Sequence, residues 1–375
     1  MTNDAMTTTD VLVVGAGIVG LAHAIAAHER GVRVTVIDRD TRAVGASVRN
    51  FGHACVTAQS GELLGLAQVA RAQWLRYGKV AGMFVREAGA VTVARTRAET
   101  AVLEELAAAR ETGQVRLLTP AQVREHLGAG ADPVIVGGAF LRDDLRVDPR
   151  EAVGALAAWL AAEPGVSIRW GTAFLGAEGG VARTTRGDIR AAHVIVCVGH
   201  DLDHLFPDLA AAGEVERCGL QMLLAEAPPR LALTPAVLTG TSMLRYPAFA
   251  ETAAADALRV EMAETHPELI DIGANVMFTQ RPDGTLIVGD SHRYGPTMDP
   301  FLEESTSRTL LDAVGRILGV ELRVRQRWQG VYASSPRQPY LIAQAAPGVT
   351  AVSITSGVGM TISFGVAQKT LSSLA

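Results

Sequence analysis

The sequence has 375 residues, 48% of them hydrophobic, with 34 Lys plus Arg against 39 Asp plus Glu and a net charge of −5. A chain of this size can bury an ample core, as two domains or as one large α/β unit with a second lobe. Its acidic balance argues against nucleic acid as the main partner, and with Lys79 and Lys369 as its only lysines it is poorly furnished for Schiff-base chemistry.

Residues 10–38 read as a buried strand, a glycine turn, a helix and a second strand closed by an acid. Gly15, Gly17 and Gly20 have the G-x-G-x-x-G spacing. Gly15 permits the tight turn, Gly17 lets backbone N–H groups approach a pyrophosphate, and Gly20 lets the helix pack closely on the sheet. Asp38, at the end of the run 32–37, stands where a carboxylate accepts hydrogen bonds from an adenosine ribose. The segment therefore reads as a dinucleotide site. Its apolar run, 11–27, is broken by glycines and has no basic residue before it, which argues against a membrane partner.

A polar, glycine-punctuated loop follows over 39–53, in which the small residues Ala46 and Ser47 allow close backbone approach to a ligand. Helical periodicity appears over 68–90 and 97–112. Thr119-Pro120 and Asp148-Pro149 each have a helix-start pattern, the second opening a helix to about residue 162. Strands are expected over 134–140, 166–171, 180–185 and 188–197, the last ending at Gly199, where a parallel strand would meet a cofactor. Between 215 and 327 the pattern changes to strand-like runs over 219–226, 241–248, 275–280 and 285–290, with Arg281-Pro-Asp-Gly284 as a hairpin turn. An amphipathic helix over 301–318, a strand over 349–355, a glycine turn and a helix over 362–374 complete the chain. The expected class is α/β. A Rossmann-like dinucleotide domain takes residues 1–80, 140–205 and 325–375, and a mixed or antiparallel-sheet substrate lobe takes 81–139 and 206–324. Cys55, Cys197 and Cys218 are far apart with no C-x-x-C pairing, so neither a metal site nor a disulfide is expected, and a reduced cytoplasm fits.

Together these motifs resemble the D-amino-acid-oxidase-like (DAO) family of FAD oxidoreductases, which includes glycine oxidase and sarcosine oxidase. The resemblance covers most of the chain. It rests on Gly15-Ala-Gly-Ile-Val-Gly20, Gly45-Ala-Ser-Val-Arg-Asn-Phe-Gly52, Arg146-Val-Asp-Pro-Arg150, the run 194–199, Asp283-Gly-Thr-Leu-Ile-Val-Gly289 and Gly357-Val-Gly-Met-Thr361. It implies non-covalent FAD. Gly15, Gly17, Ile18, Val19 and Gly20 would take the pyrophosphate, and Asp38 with Arg39 the adenosine ribose. Ala46, Ser47, Arg49 and Asn50 would run past the ribityl chain and isoalloxazine, and Ala173 or Phe174 would meet the adenine. Gly199 and Gly330 would touch the cofactor. Gly357, Val358, Gly359, Met360 and Thr361 would present N–H groups to the flavin C2 carbonyl.

A narrower resemblance, to family members associated with phosphonate breakdown, rests on Ala46-Ser-Val-Arg-Asn-Phe-Gly52, Leu244-Arg-Tyr-Pro-Ala-Phe249, Gly289-Asp-Ser-His-Arg-Tyr-Gly295 and Arg327-Trp-Gln-Gly-Val-Tyr332. It implies oxidation of an aminophosphonate of the 2-aminoethylphosphonate type, including N-alkyl or hydroxylated forms. His53-Ala-Cys-Val-Thr57 departs from that pattern. Tyr332 also stands where glycine and D-amino-acid oxidases place an arginine for the substrate carboxylate, and a phenol cannot form a bidentate clamp.

For a small anionic amine, Arg245, His292, Arg293 and Arg337 are candidate anion contacts, each weighed against a place in a surface ion pair. His53 is a candidate for orienting substrate or moving a proton. Tyr246 and Tyr332 are candidate hydrogen-bonding partners, and Trp328 a core residue. The expected reaction is oxidation of the amine to an imine, then an aldehyde plus ammonia or a primary amine, with O2 reduced to H2O2. Two alternatives are an oxidase of glycine, sarcosine or D-amino acids, and a non-catalytic flavoprotein.

Overall fold

The computed structural model describes residues 7–128 and 130–374. An eight-stranded sheet is built around Thr7–Val14, which pairs in parallel with Val34–Ile37 on one side and Ile189–Val196 on the other. Val166–Arg169 and Val349–Ile354 extend it, again in parallel. These strands are short apolar runs because both faces of a parallel sheet are covered. Helices Ile18–His28, Pro149–Ala161, Gly61–Val80 and Gly359–Ser373 contribute to one cluster, with Leu21, Trp74, Leu156 and Ile362 fully buried. The antiparallel strands Phe174–Glu178, Val181–Thr184 and Tyr340–Ala346 complete the sheet.

The second sheet has nine strands and is mixed. Its long strand Glu216–Ala225 pairs antiparallel with Leu286–Gly289, Arg293–Gly295 and Val324–Ser334. Beyond Leu286–Gly289 lie Met277–Gln280, Ala236–Leu238, Ala90–Ala94, Gly137–Leu141 and Val115–Leu118. Helices Arg97–Ala109, Ala255–Thr265 and Glu304–Leu318 bury Leu103, Leu258 and Leu310 on its core. The chain is therefore α/β, as the sequence implies, with two large sheets and a small three-stranded one among the described residues.

Several elements differ from the sequence reading. The first long helix is Gly61–Val80, ending ten residues before the expected 90, because Gly82 turns the chain at φ +65°. The run expected as a strand over 241–248 forms two helical turns, Gly240–Met243 and Pro247–Ala250. Thr239 caps the first and Pro247 opens the second, so local capping outweighs an apolar alternation. Strands Gly137–Leu141 and Val324–Ser334 pair within the second sheet, which moves the sheet crossings to after Leu141 and after Ser334. No helix among the described residues is long and apolar enough to cross a membrane.

His23 joins the two ends of the first domain. It is fully buried in Ile18–His28; its Nδ1 lies 2.7 Å from the Val19 carbonyl and its Nε2 3.0 Å from the Thr370 hydroxyl on the last helix. Burial pushes its pKa from 6.5 down to about 4. Between those values the unfolded chain binds a proton that the folded chain refuses, so stability is lost as pH falls through this window, by about 3 kcal/mol in all. Urea unfolding of wild type and His23→Gln from pH 7 to 4 checks this: the variant should lose less stability across the window, and parallel curves would refute the assignment.

Candidate active site

A cavity of about 400 Å³ runs between the two sheets. Its first wall is the glycine turn after Thr7–Val14. Gly15 has φ +99°, and a Cβ there would lie 2.4 Å from the Cys197 carbonyl oxygen; a Cβ on Gly20 would lie 1.8 Å from the Gly15 carbonyl oxygen. The turn can close only with hydrogen at both positions. Gly15, Gly17, Ile18 and Val19 line the cavity, whereas Gly20 sits behind the turn as the helix-packing glycine. Asp38 also lines it, half-buried, its carboxylate accepting from the Ala16 N–H at 2.7 Å and the Asp40 N–H at 2.9 Å. Burial raises its pKa against those two bonds. Arg39 pairs with Asp201 at 2.8 Å, both on the wall.

Ala46, Ser47, Arg49 and Asn50 line the next stretch. The Ser47 hydroxyl accepts from the Ile18 N–H at 3.0 Å, Asn50 donates to the Ser47 carbonyl at 2.9 Å, and Arg49 donates to the Gln329 carbonyl at 3.0 Å. Ala173, Phe174, Gly199 and Gly330 are on the wall as well, although Ala173 donates its N–H to the Thr185 hydroxyl and accepts from the Thr185 N–H, both at 3.0 Å. At the far end Gly357, Val358, Gly359 and Met360 line the cavity where helix Gly359–Ser373 begins, so the positive end of a helix faces it. Thr361 faces away and accepts from the Cys55 N–H at 3.0 Å.

The wall opposite comes from the second sheet and its helical turns. Arg245, Tyr246, Asn275, Asp290, His292 and Tyr332 meet there. Arg245 donates to the Tyr332 hydroxyl at 2.7 Å and reaches the Tyr294 hydroxyl at 3.4 Å. Burial works against its charge, but Tyr332, Asp290 and Tyr294 more than offset it and hold the guanidinium above its ordinary pKa. Burial likewise keeps the Tyr332 and Tyr246 phenols protonated; Tyr246 points its hydroxyl at Met277 Sδ, 3.6 Å away. His292 is buried, and burial with the nearby Arg245 charge pushes its pKa well below 6.5. A neutral ring with Nδ1 2.8 Å from the Gly273 carbonyl donates through Nδ1, which leaves Nε2 as a lone pair, 3.8 Å from Asp290.

Asp290 and Asn275 belong to this wall although sequence reasoning passed over both. Asp290 is 4% exposed, and burial raises its pKa to about 7 against the pull of Arg245 and Asn275. Asp290 stands in Gly289-Asp-Ser-His-Arg-Tyr-Gly295, a motif whose basic residues are the ones an anionic substrate singles out.

Three candidates lie elsewhere. His53 does not line the cavity: its Nε2 lies 2.8 Å from Asp144 Oδ2 with both side chains buried, which makes it a structural partner of that carboxylate. Cys55 joins the pair, with ligand-capable atoms of all three within 4.8 Å of one another, and burial and Asp144 push its thiol pKa well up. Arg293 is exposed on the strand Arg293–Gly295, because the side-chain alternation of a strand turns it away from the wall that His292 joins. Arg337 is tied to Glu214 at the surface. Trp328 packs against a core cluster, as expected.

The family model for "FAD dependent oxidoreductase" (DAO) matches residues 10–372. The chain belongs to the DAO family and is an FAD-dependent oxidoreductase. Among solved structures it is similar to L-proline dehydrogenase from P. horikoshii, at 18% identity over 99% of this chain and 94% of that one with a TM-score of 0.80. Glycine oxidase from Bacillus cereus ATCC 14579 is 18% identical over 96% and 93%, with a TM-score of 0.77. Iminodiacetate oxidase from Chelativorans sp. BNC1 is 18% identical over 97% and 95%, with a TM-score of 0.73. No curated protein sequence matches the chain.

The residues present fit FAD. The glycine cradle leaves room for a pyrophosphate, Asp38 supplies a carboxylate for a ribose, and the last helix directs its N-terminus at the far end of the cavity. Bound there, FAD supplies the two-electron acceptor. Gly20→Ala should purify with less than about a tenth of the wild-type flavin, whereas Gly154→Ala, away from the cavity and with nothing within 4 Å of a Cβ, should retain it. The ratio of flavin to protein absorbance is the measurement, and a flavin-replete Gly20→Ala would refute the cradle.

Proposed function

We propose that the protein oxidises a small amine bearing an anionic group, most specifically an aminophosphonate of the 2-aminoethylphosphonate type. The observation that carries this reading is Arg245, a charged guanidinium on the cavity wall beside the Tyr332 hydroxyl. Its fork and the phenol together offer charge-assisted and neutral donors to a multi-oxygen anion. The narrower aminophosphonate reading is supported by the motifs around Arg245, His292 and Tyr332, and by the tyrosine where a carboxylate-binding arginine stands in glycine and D-amino-acid oxidases.

In this reading Arg245 and Tyr332 hold the anionic end. The apolar cavity wall keeps water from the reacting carbon, and His292, neutral and fixed by Gly273, adds no second positive charge. The carbon next to nitrogen is oxidised, the imine hydrolyses to an aldehyde plus ammonia or a primary amine, and O2 takes the electrons as H2O2. A carboxylated amine is the second reading, favoured by the substrates named for the similar glycine, proline and iminodiacetate enzymes.

Anaerobic bleaching of the flavin by 2-aminoethylphosphonate, its N-methyl and 1-hydroxy forms, glycine, sarcosine and D-alanine separates the readings. Fast bleaching by a phosphonate with inert amino acids supports the first; the reverse overturns it in favour of the second. Arg245→Ala should raise KM for the anionic substrate at least about 100-fold, the scale for removing one partner of a buried charge contact, and an unchanged KM would remove Arg245 from the site.

A further inference from the structure

The cavity wall carries a second charged group that anion binding does not use. Asp290 lies in the same wall as Arg245, yet its Oδ1 is buried without a hydrogen-bond partner. A buried carboxylate oxygen in that state is costly unless a ligand supplies the donor. The backbone around it is fixed, since Asp290 and Asn275 exchange N–H to carbonyl bonds at 2.8 and 2.9 Å. Asn275 is itself held by the Ser242 hydroxyl at 2.7 Å. His292, with Nε2 3.8 Å from the carboxylate, turns its N–H to Gly273 and so offers it no donor. The other groups that face Asp290 are the Asn275 amide, which pulls on the carboxyl from the neighbouring strand end, Arg245 from the helical-turn segment, the Tyr246 phenol beside it, and the Cys218 thiol on the long strand of the second sheet. None of the last two is ionised near neutrality, since burial raises both pKa values.

We propose that Asp290 is a catalytic residue: its carboxylate receives the substrate's ammonium group and takes one proton from it, so that the free amine is the species oxidised. This rests on the proposed amine oxidation. An ammonium nitrogen has no lone pair to stabilise the carbon as it loses electrons, so the proton must leave first. In the step one N–H bond breaks and one carboxyl O–H bond forms, the nitrogen keeps the electron pair, and nothing is oxidised or reduced. A carboxyl raised to about 7 is nearer an amine in proton affinity than an ordinary carboxyl. Arg245 and Asp290 thus form the two ends of a site for a zwitterion, one for the anion and one for the ammonium.

The test is the rate of anaerobic flavin reduction, from pH 6 to 10, by whichever panel amine reduces the wild type fastest. Wild type should rise with pH through about 7 to a plateau. Asp290→Asn, nearly isosteric, should be slower by about 100-fold at pH 7 and recover to within about tenfold at pH 10, where free amine is abundant; Asp290→Glu should keep the wild-type profile shape. A binding readout stands beside it: calorimetry at pH 8 should show wild type preferring 2-aminoethylphosphonate to ethylphosphonate at least about tenfold, and Asp290→Asn losing that preference. An Asp290→Asn defect equal at every pH, or an unchanged rate and preference, overturns the proposal while leaving amine oxidation standing. A wild-type flavin that no panel amine reduces overturns both.

Discussion

A guanidinium brought out of bulk water between two sheets must be compensated, and the substrate half of this molecule is arranged around that constraint. Arg245 is compensated by the Tyr332 hydroxyl at 2.7 Å and by the field of Asp290. The same charge pulls the Asp290 carboxyl down and pushes His292 toward neutrality. Buried charges are usually retained where a function needs them, because an apolar replacement is often no less stable. A buried cation and a carboxyl with one unpaired oxygen on the same wall support the proposed site for a charged ligand.

The cofactor half obeys a different constraint, that of close backbone approach. Gly15 and Gly20 allow strand, turn and helix to touch, and a methyl group at either would lie within 2.4 Å of a carbonyl oxygen. The approach of Gly20 to Gly15 is local, so the turn is written as one contiguous motif, while Gly15 also needs the distant Cys197 carbonyl beside it. The second helix N-terminus, at Gly359, is delivered by Val349–Ile354, which pairs with Ile189–Val196 and so with the first strand. Sheet pairing thereby brings the two ends of the chain to one ligand.

That difference explains what was legible in the sequence. The α/β class, the glycine turn and Asp38 follow from local spacing, whereas a cofactor role for Ala46, Ser47, Arg49 and Asn50 is what the family resemblance implies. The substrate wall does not follow from spacing, since Arg245, Asp290 and Tyr332 come from separate segments. Two of them are registered by a single strand: Glu216–Ala225 pairs Met222 with Gly289 on one edge and Cys218 with Tyr332 on the other. No periodicity in the chain announces that register. His53 reads as a site residue in the sequence because its partner, Asp144, lies 91 positions away. Arg293 was one residue from the wall, and the two-residue repeat of a strand decides which neighbour faces it.

The coupling between Arg245 and Asp290 gives the order of events a physical basis. Burial drives the Asp290 pKa up, and Arg245 is the first of the forces opposing it. An anion seated on Arg245 cancels much of that opposing field, because its negative charge offsets the positive charge of the guanidinium at Asp290. The carboxyl then rises further, toward the proton affinity of an amine, at the moment an amine on the same molecule is presented to it. An uncharged amine leaves Arg245 unopposed and Asp290 a weaker base. Recognition of the anion and acceptance of the proton are in this way one electrostatic event, and selectivity for anionic amines would extend from binding into the rate of oxidation itself.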